Sequence, residues 1–147
     1  MDKGNNYRIY IDNRGNWYQD GIKITHRWTY LENNKNLDID ENGDFFIDEG
    51  MGKIYVNVED TPFVVKMVNF RNDRFYLVLN DETTEPLHIE DISLSKDNIP
   101  YTHVKNGRFR ARFLRPAYYE LTRHAVEEKD GFYLIDGNNK VRILEKK

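Results

Sequence analysis

Two stretches of this 147-residue chain, 88 positions apart, read alike, and a repeat limits the folds open to a chain more than any single motif does. Arg27 falls on Arg115, Tyr30 on Tyr118, Glu32 on Glu120, Gly43 on Gly131, Phe45 on Tyr133, Ile47 on Ile135 and Asp48 on Asp136. One residue of slippage then sets Lys53 on Lys140 and Ile54 on Val141. Upstream, Gly15 matches Gly107 if the first copy carries four extra residues around Gln19-Asp20-Gly21. Each copy runs strand, glycine turn, strand, short helix, glycine turn, hairpin. Neither is long enough to bury much surface alone. The expectation is therefore one fused α+β unit, mostly antiparallel β with two short helices, built from two tandem β-rich repeats. Residues 1–62 form the N-terminal repeat, and residues 63–147 hold a connecting hairpin and the C-terminal repeat.

Local patterns fill in this outline. Tyr7, Ile9 and Ile11 alternate with polar neighbours, the period of a half-buried strand, and Asn13-Arg14-Gly15 turns it into a return strand carrying Trp17. Thr25 is placed to cap a helix that sends Trp28 and Leu31 inward, and the run Asn33 to Asn36 ends it. Phe45 to Asp48, Lys53 to Val58, Phe63 to Phe70 and Arg74 to Leu79 read as strands. Between Asn80 and Asn98 the pattern is irregular, with Leu87, Ile89, Ile92 and Leu94 as apolar anchors. Asn106-Gly107 is the strongest hairpin signal, between an alternation of Ile99, Tyr101 and His103 and one of Phe109, Ala111 and Phe113. Pro116 suits the first position of a helix whose stripe of Tyr118, Leu121, Ala125 and Val126 runs to about Lys129. Tyr118 and Tyr119 lie about 100° apart on that helix, so one of them faces outward.

Composition narrows the chemistry. With no cysteine, disulfides, zinc–thiolate sites and thiol nucleophiles are excluded. Ten Tyr, eight Phe and two Trp supply a core that a disordered chain would lack. The amino-terminal residues have no apolar run of the signal-peptide kind and no apolar stretch is long enough to span a bilayer, so the expected location is the cytoplasm. A net charge of −3 makes a nucleic-acid partner a poor fit. That charge is unevenly shared: residues 1–98 carry 11 basic and 19 acidic side chains, and residues 99–147 carry 11 and 6. Two halves of opposite sign attract each other, and the basic half could also hold an anion.

The sharpest local motif is Asp38-x-Asp40-x-Asn42-Gly43, with Asp44 inside it and Glu49 closing it. It matches the calcium loop of an EF-hand, which needs oxygen ligands at positions 1, 3, 5 and 12 and glycine at 6. A helix should leave such a loop, yet Gly50-Met51-Gly52 and Lys53 to Val56 read as turn and strand. The segment therefore reads first as a solvated acidic hairpin turn, with a calcium-binding module as the alternative and calcium the one cofactor in view. Downstream, Arg108, Arg110 and Arg112 share one strand face and, with Arg115 nearby, could grip an anionic group. His103, placed on the inward phase of its strand, could join Arg115, Tyr119 and Glu120 in a small acid–base site. Hydrolase, zincin and Walker signatures are absent, and a buried structural histidine accounts for His103 more simply.

Three longer runs carry a family resemblance: Val58-Glu59-Asp60-Thr61-Pro62-Phe63, Pro100-Tyr101-Thr102-His103-Val104-Lys105-Asn106-Gly107 and Arg115-Pro116-Ala117-Tyr118-Tyr119-Glu120-Leu121. The chain resembles a bacterial family of uncharacterised proteins, domain of unknown function 1285, along nearly its whole length. It departs from the family pattern after Ile47, where Asp48-Glu49-Gly50 replaces a Thr-Pro-containing segment. The resemblance implies an α+β fold with repeated motifs and points to signalling, but brings no activity or cofactor. The functional expectation is a non-enzymatic binding or regulatory module that takes an unknown protein or a small anionic ligand. His103, Arg108, Arg110, Arg112, Arg115 and Tyr119 are its candidate ligand residues, and an enzyme using His103 and Arg115 is the remaining alternative.

Overall fold

The computed structural model describes residues 8–145, so Tyr7, assigned above to the first strand, lies outside the described residues. Strands β1 (Ile9–Ile11), β2 (Trp17–Gln19) and β3 (Ile22–Lys23) lead into helix α1 (Arg27–Lys35), followed by β4 (Leu37–Ile39), β5 (Phe45–Asp48) and β6 (Lys53–Val58). Next come β7 (Phe63–Arg71), β8 (Arg74–Leu79) and β9 (Thr84–Pro86), and one turn of 3-10 helix at Ile89–Asp91. The chain then repeats its opening order with β10 (Ser93–Leu94), β11 (Pro100–Val104), β12 (Phe109–Phe113), helix α2 (Arg115–Arg123), β13 (Val126–Glu128), β14 (Gly131–Asp136) and β15 (Asn139–Glu145). Three strands, a nine-residue helix and three strands thus occur twice, and the two helices start 88 residues apart.

Hydrogen bonding arranges these elements in two mixed six-stranded sheets of similar topology and a three-stranded sheet. In the first, β1 pairs in parallel with β6, Ile9 opposite Val56, and the order is β3-β2-β1-β6-β5-β4. In the second, β12 pairs in parallel with β7, Ala111 opposite Phe63, in the order β10-β11-β12-β7-β8-β9. The leading strands of the second copy are therefore joined to β7–β9, and its closing strands β13-β14-β15 form a sheet of their own. Ile11, Trp17, Phe63, Val65, Leu77, Leu79, Val104, Phe113, Leu121 and Leu134 fill one core that runs through both copies.

One five-residue hairpin turn recurs and sets the strand register. In Asp12–Asn16 the Gly15 amide donates to the Asp12 carbonyl, and Asp12 N–H donates to the Asn16 carbonyl, both at 3.0 Å. The Asp12 carboxylate accepts from the Arg14 and Asn16 amides at 2.9 Å. Asp40–Asp44 copies this arrangement bond for bond, with amides of Asn42 and Asp44 on the Asp40 carboxylate at 2.9 Å. Ser95–Ile99 makes it again, with its hydroxyl in place of the carboxylate. The fourth position is left-handed each time, at φ +80°, +83° and +62° for Gly15, Gly43 and Asn98, the backbone that a type I turn with an added bulge residue requires.

Several expectations need correction. Leu37–Ile39 is a strand, paired with Phe45–Ile47, so the acidic hairpin turn is confined to Asp40–Asp44 and Asp38 belongs to a strand. The cap of α1 is His26 rather than Thr25, and Trp28 is 68% exposed instead of facing the core. Asn33 and Asn34 lie within α1 and are its buried residues, because the Trp17 indole N–H donates to Asn34 Oδ1 at 3.1 Å. Pro116 is the second residue of α2, which stops at Arg123, so Val126 belongs to β13 rather than to the helical stripe. Leu94 is 48% exposed and anchors nothing inward. The β14–β15 pairing carries a bulge at Ile143, with Phe132 opposite Leu144 and Tyr133 opposite Arg142. The aligned positions also differ in burial: Ile47 is buried while Ile135 is exposed, and Asp136, not its aligned Asp48, turns inward.

Candidate ligand-binding cleft

Arg110 and Arg112 of β12 do share one outward face, opposite buried Phe109, Ala111 and Phe113, and exposed Arg108 precedes the strand. Each meets a partner. Arg108 forms an ion pair with Asp38, its Nε 2.9 Å from Oδ1. Arg112 reaches Asp60 at 3.1 Å, and that same Asp60 oxygen accepts the Tyr101 hydroxyl at 2.8 Å. Arg110 lies over the Tyr101 ring, 3.7 Å from its centroid. Two of the three thus bind carboxylates from the acidic half, which makes the opposed charges complementary surfaces within one molecule. Burial alone would raise the Asp38 carboxyl, but hydrogen bonds from Arg108 and the Ile39 amide outweigh it and hold the group below its usual value.

His103 points outward, contrary to its inward assignment, and Thr102 and Val104 are the core-facing residues of β11. Register explains this. Val104 stands opposite Phe109 and Thr102 opposite Ala111, so the buried phase of β12 selects even positions on β11 and leaves His103 beside Arg110. The His103 ring sits 3.2 Å from Asp91 in the 3-10 turn, whose carboxylate also accepts the His103 amide at 2.8 Å and the Thr102 hydroxyl at 3.0 Å. Burial works to raise Asp91, but these three donors outweigh it and hold the carboxyl below its usual value. His103 is thereby committed to Asp91.

The acidic motif is divided among different tasks. Asp38 holds Arg108, while Asp40 braces the β4–β5 turn and accepts the Tyr55 hydroxyl at 3.0 Å. Glu49 lies beyond β5, where with Trp28, Glu32 and Asp48 it borders a shallow hollow of about 280 Å³. Among the described residues no three His, Cys, Asp or Glu side chains are grouped to hold a metal. Because the turn copies Asp12–Asn16, we expect millimolar calcium to leave the Gly43 amide resonance in place. An early, saturable shift of that resonance would instead establish a calcium site.

A larger concavity lies elsewhere, at the junction of the second copy's parts. Leu94 and Asn98 of the β10–β11 hairpin, Tyr118, Thr122 and Ala125 of α2 and its exit, and Phe132 and Ile143 of the third sheet enclose a cleft of about 450 Å³. Its walls are mostly apolar, with an amide and two hydroxyls among them, and none of the lining residues is charged. Tyr118 is half-buried here, and desolvation pushes its hydroxyl pKa up. Of the residues singled out from sequence, Arg115 and Tyr119 are exposed residues of the helix that forms one wall. The lining set escaped sequence reading because it joins segments from Leu94 to Ile143. Its one local trace is the i, i+4 spacing of Tyr118 and Thr122 on one face of α2.

No family model and no curated protein matches the chain. Among solved structures, a DUF1285 family protein from Silicibacter pomeroyi DSS-3 superposes with a TM-score of 0.74 at 17% identity, over 95% of this chain and 80% of that one. A DUF1285 family protein from Shewanella baltica OS155 gives 0.65 at 19% identity, over 78% and 89%. No helix among the described residues is long and apolar enough to cross a membrane. This chain has the fold of these DUF1285 proteins, the family its sequence motifs resemble.

Proposed function

We propose that the chain is a non-enzymatic binding module whose ligand occupies the cleft between the β10–β11 hairpin, α2 and the third sheet. The supporting observation is the cleft itself, about 450 Å³ of mainly apolar space with Asn98, Thr122 and the Tyr118 hydroxyl available to orient an occupant. Sites for small molecules have this character and fall within about 300–1,000 Å³. The position also suits regulation. A ligand there touches the second sheet through Leu94, α2 through Tyr118 and the third sheet through Phe132 and Ile143. Binding would tie three separately hydrogen-bonded parts together, and anything that binds the assembled state alone stabilises it by mass action.

Titrating the isotopically labelled full chain with 1-naphthol tests this reading. The amides of Leu94, Thr122, Ala125, Phe132 and Ile143 should shift together, along one saturation curve. Thr122→Trp, which places an indole in the cleft from a partly exposed helix position, should remove the response and leave the rest of the spectrum folded. Shifts confined to the hollow at Trp28, or no saturable shift at all, would overturn the assignment.

A further inference from the structure

One helical turn before Tyr118, outside the residues that line the cleft, α2 begins with a charged residue. Tyr118 and Thr122, four residues apart, form a stripe on one face of the helix, and Ala125 follows just past its end at Arg123. Arg115, three residues before Tyr118, is the next member of that stripe and the first residue of α2. It is exposed and has no ion-pair partner among the described residues. Its counterpart in the first copy, Arg27, is by contrast held by both oxygens of Glu82 at 2.8 and 2.7 Å. The neighbouring charges do not neutralise Arg115. Glu120 faces Arg123 and His124 at 3.5 Å, Asp130 faces Arg142, and the turn at Ser95 carries Lys96 beside Asp97. From Arg115 to Thr122 this face of the helix rises roughly 10 Å, the length of an extended aliphatic chain of about eight carbons.

We infer, resting on the cleft reading above, that the ligand is a free single-chain amphiphile: an aliphatic body laid along Tyr118, Thr122 and Ala125, with a carboxylate at Arg115. A neutral apolar ligand would leave this cation without a counter-charge. A carboxylate gains a charge-assisted hydrogen bond from the guanidinium, whose planar fork matches it.

The test compares decanoate with decanol, both below their aggregation limits, binding to the full chain by calorimetry and amide shifts. Decanoate should bind about fivefold tighter than decanol, the gain expected of one exposed charged hydrogen bond. Arg115→Gln should bring decanoate to the affinity of decanol, Arg115→Lys should restore part of the difference, and Thr122→Trp should remove both ligands. If neither ligand shifts the cleft amides, the cleft reading itself fails. Equal affinities that Arg115→Gln leaves unchanged would overturn the amphiphile while the cleft reading stands. Sedimentation with phosphatidylglycerol vesicles, combined with no response to free decanoate, would replace the free ligand by a membrane surface.

Discussion

Replacing Phe109 by alanine should lower the unfolding free energy by about 4 kcal/mol, a large share of the roughly 5–15 kcal/mol available to a domain of this size. Phe109 opens β12 and is 6% exposed. Its ring lies 5.2 Å from that of Phe63, in the same sheet, and 6.3 Å from that of Phe45, in the first sheet. The side chain thus joins the two six-stranded sheets through apolar contact. Removing it leaves a cavity between them and costs both aromatic pairings, each worth about 0.5–1.5 kcal/mol beyond area burial. Arg108, the adjacent residue, also links the sheets, but its ion pair with Asp38 is exposed to water at both ends, 52% and 44%. Arg108→Ala should therefore cost less than about 1 kcal/mol. Urea unfolding followed by tryptophan fluorescence checks both, with one transition and an unchanged m-value expected. A Phe109→Ala loss no larger than that of Arg108→Ala would mean that charge, rather than the apolar seam, holds the sheets together.

The features legible in the sequence were those set by neighbours in the chain. Asn13-Arg14-Gly15 and Asn106-Gly107 turn where their backbone chemistry dictates, with Gly15 at φ +80° and Asn106 at +59°. The helix beginning at Arg115 was legible from proline and stripe, and the repeat from matched positions on the two helices. Features that depend on distant partners were not. The parallel pairings of β1 with β6 and of β7 with β12 leave no local pattern. The end of α2 was misplaced because Val126 continues the helical spacing while its backbone pairs with Tyr133. The phase of His103 could have been found. Once Asn106-Gly107 fixes the hairpin, residues opposite one another share a face, and the apolar face of β12 decides that of β11. The arginine and aspartate motifs were read as separate sites, yet Asp38 and Arg108 satisfy each other across 70 residues. The cleft is legible only in three dimensions, since no one segment supplies more than three of its lining residues.

Gly15→Ala should be far more damaging than Gly43→Ala, although the two glycines occupy the same turn and nearly the same backbone angle, φ +80° and +83°. An L-residue in that conformation costs about 1–2 kcal/mol, and this is the whole expected effect at Gly43, where a Cβ would meet nothing within 4 Å. At Gly15 the Cβ would fall 2.7 Å from Asn80 Nδ2 and 2.8 Å from Val64 Cγ2. Neither neighbour can yield freely. Asn80 is buried, accepts the Val64 amide at 3.1 Å through its side-chain oxygen and donates to the Gly15 carbonyl at 3.2 Å. Val64 is wholly buried in β7, at the centre of the second sheet. A methyl group on Gly15 therefore forces the first hairpin of the chain off its seat and endangers two buried hydrogen bonds, so the total should reach about 3–4 kcal/mol. Asn80→Ala, which leaves the Val64 amide and the Gly15 carbonyl without that partner, should cost about 2–3 kcal/mol. In the double variant the losses should fall short of their sum, because alanine at position 80 removes the atoms that the new methyl strikes. Thermal unfolding of the four variants decides the matter. Equal losses at Gly15 and Gly43, or strict additivity of Gly15→Ala with Asn80→Ala, would show that the first hairpin does not rest on β7 through this asparagine.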